Sequence, residues 1–400
     1  MKLAKLSLAA MVVAGLASSS FAADTLADMF KNGKVSGELR AWYFDRDFEN
    51  AVAPSPAGDE SIFNTGLVLS YVTDSFYGFS LGATMQSSFA PFANSDAKTL
   101  FANDMYGSGA VLSEAYVAYK MKNTTVKVGR QFITTPLVAG SGSRMIKQSF
   151  EGAVIINTDL PNTTLVAGYV DKYQQRTSSN SGNPRGDMPD FDQVGGQGDG
   201  AYTLLAINKS IPGLTLTAQW AQVTDVVDDY YVEAAYAGVA SGFKYGLAAN
   251  YLMSDYDAGG DEGIMYGAKI NIGVENFNAY VAYSQVTDDN AVAPGLGGGA
   301  QPAFAKPYQF VAGTYAADTD AYSIDANYNF AQIGLLLGAR YTDVQVDSAV
   351  ATSDERKFTD IYAVYNFTGA LKGLTFDVSY ENMGGDWNNK ETWFKANYKF

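Results

Sequence analysis

The stretch Lys390–Phe400, K-E-T-W-F-K-A-N-Y-K-F, decides the fold. Successive side chains of an extended chain point to opposite faces. Thr392, Phe394, Ala396, Tyr398 and Phe400 therefore share one face, and Trp393, Lys395, Asn397 and Lys399 share the other. One face is apolar or aromatic and the other mostly polar. A transmembrane barrel has this pattern, because its lipid face is apolar and its ends carry aromatic girdles. A soluble sandwich also alternates, but it does not need aromatics so densely here. The stretch reads as the closing strand of a barrel, which must pair with the first.

Composition agrees. The 400 residues include 40 Gly, 27 Tyr and 23 Phe, with no Cys and no His. Tyrosine suits a membrane interface, where the ring is apolar and the hydroxyl is wet. No apolar run of about 18 residues follows the N-terminal region, which excludes helical membrane spans. Without Cys there are no disulfides, thiol nucleophiles or thiolate metal sites. Without His there is no Ser-His triad, imidazole base or His-bound metal. Only carboxylate chemistry survives, so the reading is a non-enzyme with no cofactor and no metal. A formal net charge of −15 argues against nucleic acid as a partner, which calls for basic surfaces.

Residues 1–22 read as a signal peptide. Lys2 and Lys5 precede an apolar core from Leu6 to Leu16, and Ser20 and Ala22 supply the small residues of a cleavage site after Ala22. Export together with amphipathic strands points to the outer membrane of a bacterial cell. Residues 23–34 read as a short periplasmic segment, helical over Asp24–Asn32, and 35–400 as the barrel.

Eighteen spans carry strand signals: 35–45, 62–73, 77–90, 111–121, 124–133, 151–158, 163–172, 201–210, 213–224, 229–239, 243–255, 262–273, 276–287, 320–330, 333–345, 357–367, 373–383 and 391–400. About ten residues suit a tilted crossing of the bilayer. The links alternate in length. Short turns such as 73–77, 122–124, 159–162, 211–213 and 274–276 fit the periplasmic side. The longer links 91–110, 134–150, 173–200 and 288–319 fit the outside. Gln309–Ala316 also alternates, but a nineteenth wall strand would reverse this pattern, so it is assigned to the external loop 288–319. L-G-G-G at 296–299 reads as a flexible loop, since no Lys-Ser/Thr follows to make a phosphate cradle. Asp225, Asp228, Asp229, Asp257, Asp261 and Glu262 read as external rim charges, solvated or sharing divalent cations with lipopolysaccharide.

A barrel this wide encloses water unless loops fill it. The best filler is the third external loop, 134–150, T-T-P-L-V-A-G-S-G-S-R-M-I-K-Q-S-F. Its Leu137, Val138, Met145, Ile146 and Phe150 suit either an inward fold against the wall or contact with a neighbouring subunit. Parity gives inward basic candidates Arg40, Lys120, Lys127, Lys269, Arg340 and Lys395. It gives inward acidic candidates Glu38, Glu114, Glu233, Asp325, Asp360 and Asp377. Arg144 and Lys147 are expected near the narrowest point, facing Glu38 or Glu114. Arg130 shares parity with Val126 and Val128, which face lipid, so it reaches the lumen only through a bulge or an early strand end.

The run G-R-Q-F-I-T-T-P-L-V-A-G-S-G-S-R-M-I-K-Q-S-F-E-G (129–152) resembles the third-loop region of OprD-type outer-membrane porins, and V-S-G-E-L-R-A-W-Y-F (35–44) resembles their first strand. Over its full length the chain is similar to epsilonproteobacterial major outer-membrane porins. The resemblance implies an all-β transmembrane antiparallel barrel of about 18 strands with an inward-folded third external loop. It also implies passive diffusion of ions and small hydrophilic solutes, amino acids or small carboxylates among them, and trimers in some relatives. Arg40, Arg130 and Arg144 match basic positions of that family. The pore residues expected on these combined grounds are Arg130, Arg144, Lys147, Glu151, Arg40, Glu38, Glu114, Arg340 and Lys269. The expected partners are solutes and ions, outer-membrane lipid and lipopolysaccharide, and further copies in a homotrimer. Acidic rims over a mixed lumen favour weak cation preference. A structural or adhesive barrel with a blocked lumen, or an outer-membrane enzyme, are the rival functions.

Overall fold

The computed structural model describes residues 23–51, 55–178, 186–310, 314–347 and 354–400. Residues 1–22, expected to be a signal peptide, lie outside the described residues. The chain opens with a short helix, α1 (Leu26–Lys31), and a second, α2 (Ser95–Leu100), lies in the link after the third strand. Everything else of regular structure except one 3-10 turn is strand. The first seven are β1 (Lys34–Phe48), β2 (Gly58–Val72), β3 (Phe79–Ser88), β4 (Gly109–Met121), β5 (Thr124–Gln131), β6 (Ser149–Asn157) and β7 (Thr163–Gln174). A three-residue strand, β8 (Phe191–Gln193), only extends the edge of β7. The wall resumes with β9 (Ala201–Asn208), β10 (Leu214–Val223), β11 (Val227–Ala240), β12 (Phe243–Tyr256), β13 (Gly263–Val274) and β14 (Phe277–Val286). It ends with β15 (Thr319–Phe330), β16 (Leu335–Val346), β17 (Asp354–Asn366), β18 (Leu374–Gly385) and β19 (Asn389–Lys399).

Each wall strand pairs antiparallel with its sequence neighbours, β7 with β9 across the short extra strand. β1 pairs with both β2 and β19, so the sheet closes on itself. The eighteen wall strands are the eighteen expected spans, and Lys390–Phe400 does seal the barrel, with Ala41 opposite Ala396 and Tyr43 opposite Phe394. Val286 pairs directly with Thr319, so the link between β14 and β15 inserts no wall strand. Closure removes the unpaired edges that lipid would not tolerate. Among the described residues no helix is long and apolar enough to cross a membrane.

The period-two pattern sorts the two faces. Leu39, Val117, Leu204, Ile270, Ile324 and Phe394 are exposed on the outside, where hydrocarbon solvates them. Aromatic pairs gather at the strand ends: Phe79–Tyr119 and Tyr398–Phe400 at the periplasmic end, Tyr169–Tyr202 and Tyr283–Tyr322 at the other. At the outer end, Tyr43, Tyr169 and Tyr341 each donate a hydroxyl to an aspartate two positions on, Asp45, Asp171 and Asp343, at 3.2–3.4 Å. The ring stays in lipid while its polar tip meets water.

Inside, the packing differs from two expectations. Asp229 is not a rim charge: it is 1% exposed and accepts a 2.6 Å bond from the Ser254 hydroxyl. Nor is 296–299 a loose loop. Leu296 and Val138 form a parallel bridge, and Gly297 has φ +90° with its α-carbon packed so closely on the Ala139 carbonyl that a Cβ would collide. Glycine is needed here for backbone approach.

Candidate functional site: the barrel interior

Segment 132–148 leaves β5 and meets side chains on the inner faces of strands far around the wall. On β10, Gln219 donates to the Thr135 hydroxyl at 2.9 Å and accepts from the Leu137 amide at 3.0 Å. On β1, Arg40 donates to the Met145 carbonyl at 2.7 Å. On β3, Gln86 brackets Lys147, donating to its carbonyl and accepting from its amide at 2.8 and 2.9 Å. Leu137, Val138 and Ile146 are buried. Removal from water at roughly 25 cal/mol per Å² fastens the segment, and the hydrogen bonds fix its register.

Segment 287–310 lies beside it. Leu296 donates its amide to the Leu137 carbonyl, Ala139 to the Leu296 carbonyl, and Gly299 to the Ala139 carbonyl, at 2.8–3.0 Å. Farther along, the amides of Gln309 and Phe310 donate to Glu381 on β18 at 2.9 and 3.2 Å. Strand register explains why a carboxylate waits there. Asp325, Arg340, Asp360, Glu381, Glu391 and Arg46 are successive cross-strand partners from β15 round to β1. They form one inward row.

Beside the seam the row joins a dry ionic cluster. Arg46 is 0% exposed and pairs with Asp104 at 2.9 Å and Glu391 at 2.8 Å. Arg144 pairs with the same oxygen of Asp104 at 2.9 Å and lies 4.5 Å from the Trp393 ring centre. Burial alone would raise the Asp104 carboxyl, but the Arg46 and Arg144 guanidinia outweigh it and hold its pKa at about 2. Arg144 was expected to face Glu38 or Glu114; instead it ties segment 132–148 to the link that carries α2. That link was not foreseen as a filler, yet its Leu100, Phe101 and Met105 pack on Trp42, Phe44 and Met145.

The remaining expected pore residues fall into two sets. Glu38 pairs with Arg40 at 2.7 Å, and Glu114 pairs with Lys127 at 3.3 Å. Lys147 lies 4.3 Å from the Phe132 ring centre; burial lowers its pKa, Glu114 opposes that, and Arg40 and Lys127 add to it. Arg340 pairs with Asp325 at 3.1 Å and Lys269 lies 3.8 Å from the Tyr280 ring centre. Arg130 and Glu151 are elsewhere. They pair at 2.9 Å, joined by Lys172, on the outward face shared with exposed Val128 and Ile155. A bulge does occur beside Glu151, but it leaves Arg130 on its original parity.

Two cavities flank Thr134 and Thr135. One, of about 330 Å³, lies between β2 and β9 and includes Glu114, Lys127, Lys147 and the aliphatic side chains Val154, Ile156 and Val166. The other, of about 380 Å³, is bordered by Glu233, Lys269, Lys306 and Arg340. Lys306 escaped the sequence reading because it lies outside any alternating strand. It donates to the Gln301 carbonyl at 2.8 Å. Burial, reinforced by the charges of Arg340 and Lys269, lowers its pKa to about 8. Among the described residues no group of three or more acidic side chains is arranged to hold a metal ion.

A family model described as outer membrane porin, OprD family, matches residues 27–398. The chain belongs to the OprD family. It is thus an outer-membrane porin, a channel-forming barrel in the bacterial outer membrane. Solved structures of similar fold include Pseudomonas aeruginosa OccK8 (OprE), at 16% identity and TM-score 0.77, covering 93% of this chain and 99% of that one. Acinetobacter baumannii OccAB2 stands at 21% and 0.78 with the same coverage. Pseudomonas aeruginosa OccK2 (OpdF), solved in complex with glucuronate, stands at 14% and 0.77, again over 93% and 99%. No curated protein matches the porin's sequence.

Proposed function

We propose that this porin passes small hydrophilic carboxylates, zwitterions included, through a waist built by 134–136 and 299–306 against the inner wall. The observation that carries this reading is the 380 Å³ cavity, where Lys269, Lys306 and Arg340 face one lining carboxylate, Glu233. Asp325 offsets Arg340 from behind, which leaves the waist net positive. In a narrow lumen with low-dielectric walls such an excess raises the local concentration of anions. The glucuronate complex of OccK2 is consistent with a carboxylate-accepting relative. The waist thus counters the weak cation preference that the acidic rims suggest.

The reading is of a channel without enzymatic activity, surrounded by outer-membrane lipid and lipopolysaccharide and assembled as a homotrimer. An outward depression floored by Ala167, Ala206 and Ala218 lets a neighbouring wall approach. Reversal potentials in planar bilayers under a KCl gradient test the waist, with dicarboxylates and neutral sugars as competitors. The expected result is anion preference at the single-channel level and current block by dicarboxylates. Clear cation preference, or an insulating barrel, removes the proposal. Chemical cross-linking in native membranes tests the trimer.

A further inference from the structure

The position of α1 carries a consequence separate from the pore. Thr25 caps the helix, its hydroxyl accepting the Asp28 amide at 3.1 Å. At the other end the Phe30 carbonyl accepts the Tyr71 hydroxyl, and the Met29 carbonyl accepts the Asp74 amide at 3.0 Å. Tyr71 belongs to the outward face of β2: its cross-strand partner Val35 is 62% exposed, and Leu69 on the same face is 37% exposed. A helix held by an outward tyrosine lies against the outside of the wall at its periplasmic edge, not under the lumen.

Met29 is buried beneath the helix, whereas Leu26 and Phe30 are 58% and 47% exposed. Residues four apart share one helical face. Tyr77, in the adjoining turn between β2 and β3, is 80% exposed. The neighbouring wall continues this apolar surface: Gly37 exchanges backbone hydrogen bonds with Phe400, which is 54% exposed, and Tyr398 lies on the same outward face. In water such a surface pays about 25 cal/mol for each Å² left exposed.

We propose that α1 is an interfacial anchor. It lies in the headgroup zone of the inner, phospholipid leaflet, with Leu26 and Phe30 turned into the acyl region. It extends the lipid-facing belt of Val35, Tyr71, Tyr398 and Phe400 by one element toward the periplasm. The physical class is that of a short amphipathic segment seated in the interface plane beside an aromatic belt.

The sequence contains no cysteine, so single-cysteine variants of the full chain can be labelled at one site. Leu26→Cys, Phe30→Cys and Lys31→Cys would carry nitroxide spin labels in vesicles of phosphatidylethanolamine and phosphatidylglycerol, with Val35→Cys as the lipid-facing reference. Paramagnetic relaxation by oxygen should exceed that by a water-soluble nickel chelate severalfold at positions 26, 30 and 35, with the order reversed at 31. Nickel access at both 26 and 30 would mean that α1 stands in water and overturns the anchor. Exclusion of both reagents there would mean that another protein surface covers the helix, and overturns it equally. As a second readout, Leu26→Glu with Phe30→Glu should leave single-channel conductance unchanged but speed trypsin cleavage after Lys31 at least tenfold in vesicles. Unchanged cleavage contradicts the anchor.

Discussion

Arg46 and Arg144 lie beside the seam, almost fully buried, Arg46 between Asp104 and Glu391 and Arg144 on Asp104. Lys269, Lys306 and Arg340, elsewhere in the same interior, border an open cavity with one lining carboxylate. Both groups are basic side chains inside one barrel, yet their surroundings give them different work. Where carboxylates and aromatic rings enclose a guanidinium, its charge is spent on holding loops to the wall. Where the solvent side is left open, the charge can act on what passes.

The comparison can be broken most severely at Asp104. Asp104→Asn removes the carboxylate that two buried guanidinia share, and breaking a buried pair costs roughly 3–5 kcal/mol. The expected outcome is release of 89–108 and 132–148, measured as rapid limited proteolysis and a larger, noisier conductance, with the heat-resistant wall kept. Next in size is Gly297→Ala. Its Cβ collides with Ala139 and its φ is positive, so about 1–3 kcal/mol is lost and the two inner segments should part; an unchanged current trace would show that they do not narrow the path.

On the cavity side the effects are smaller and concern selectivity. A unit charge acting over 4 Å through water is worth about 1 kcal/mol, of opposite sign for anion and cation, so Lys306→Gln should reduce the anion-to-cation permeability ratio by roughly thirtyfold at most, about fivefold from each ion, with conductance little altered. Raising the pH should do the same to the native porin. Lys306 is cationic below its pKa of about 8 and neutral above it, so anion preference should decline as pH rises from 7 to 9; a flat profile would exclude Lys306 from the waist. The smallest effect is expected at Arg130→Ala. That pair with Glu151 is outward and partly exposed, where an ion pair contributes about 0–1 kcal/mol, and ion selectivity should stay as it is.

Most of the wall was legible in the sequence because its rule is local. Alternation in Leu374–Tyr380, or in Thr392–Phe400, states which side chain meets lipid without reference to any other strand, and the alternating link lengths supply the orientation. Arg130 is counted among the pore residues on the family resemblance and a supposed bulge or early strand end, although its parity matches Val126 and Val128; its side chain stays on the outward face with Val128. The interior was less legible. Arg144 looked like a pore residue because its partner, Asp104, is forty positions away in a link with no pattern of its own. The glycines at 297–299 looked flexible because nothing local reveals the carbonyls they pack against. Lys306 carried no signal at all, since its importance depends on Arg340 and Lys269, which only the closed barrel brings to it.

The pairing between the two inner segments also constrains how the molecule can assemble. Gly298 donates its amide to the Gln148 side chain, 150 positions earlier in the chain, and each partner sits in a link whose flanking hairpin must already exist. Such distant contacts form late and slowly, because the entropy of closing long stretches of chain is lost before the contact returns anything. The hairpins can zip in sequence, and the first and last strands can meet. Seating the inner segments must then follow, or accompany, closure of the wall around them. A newly inserted barrel would therefore pass through a wide, poorly discriminating state before its selectivity matures, with a lag that single-channel records taken soon after insertion would register as a decay in conductance.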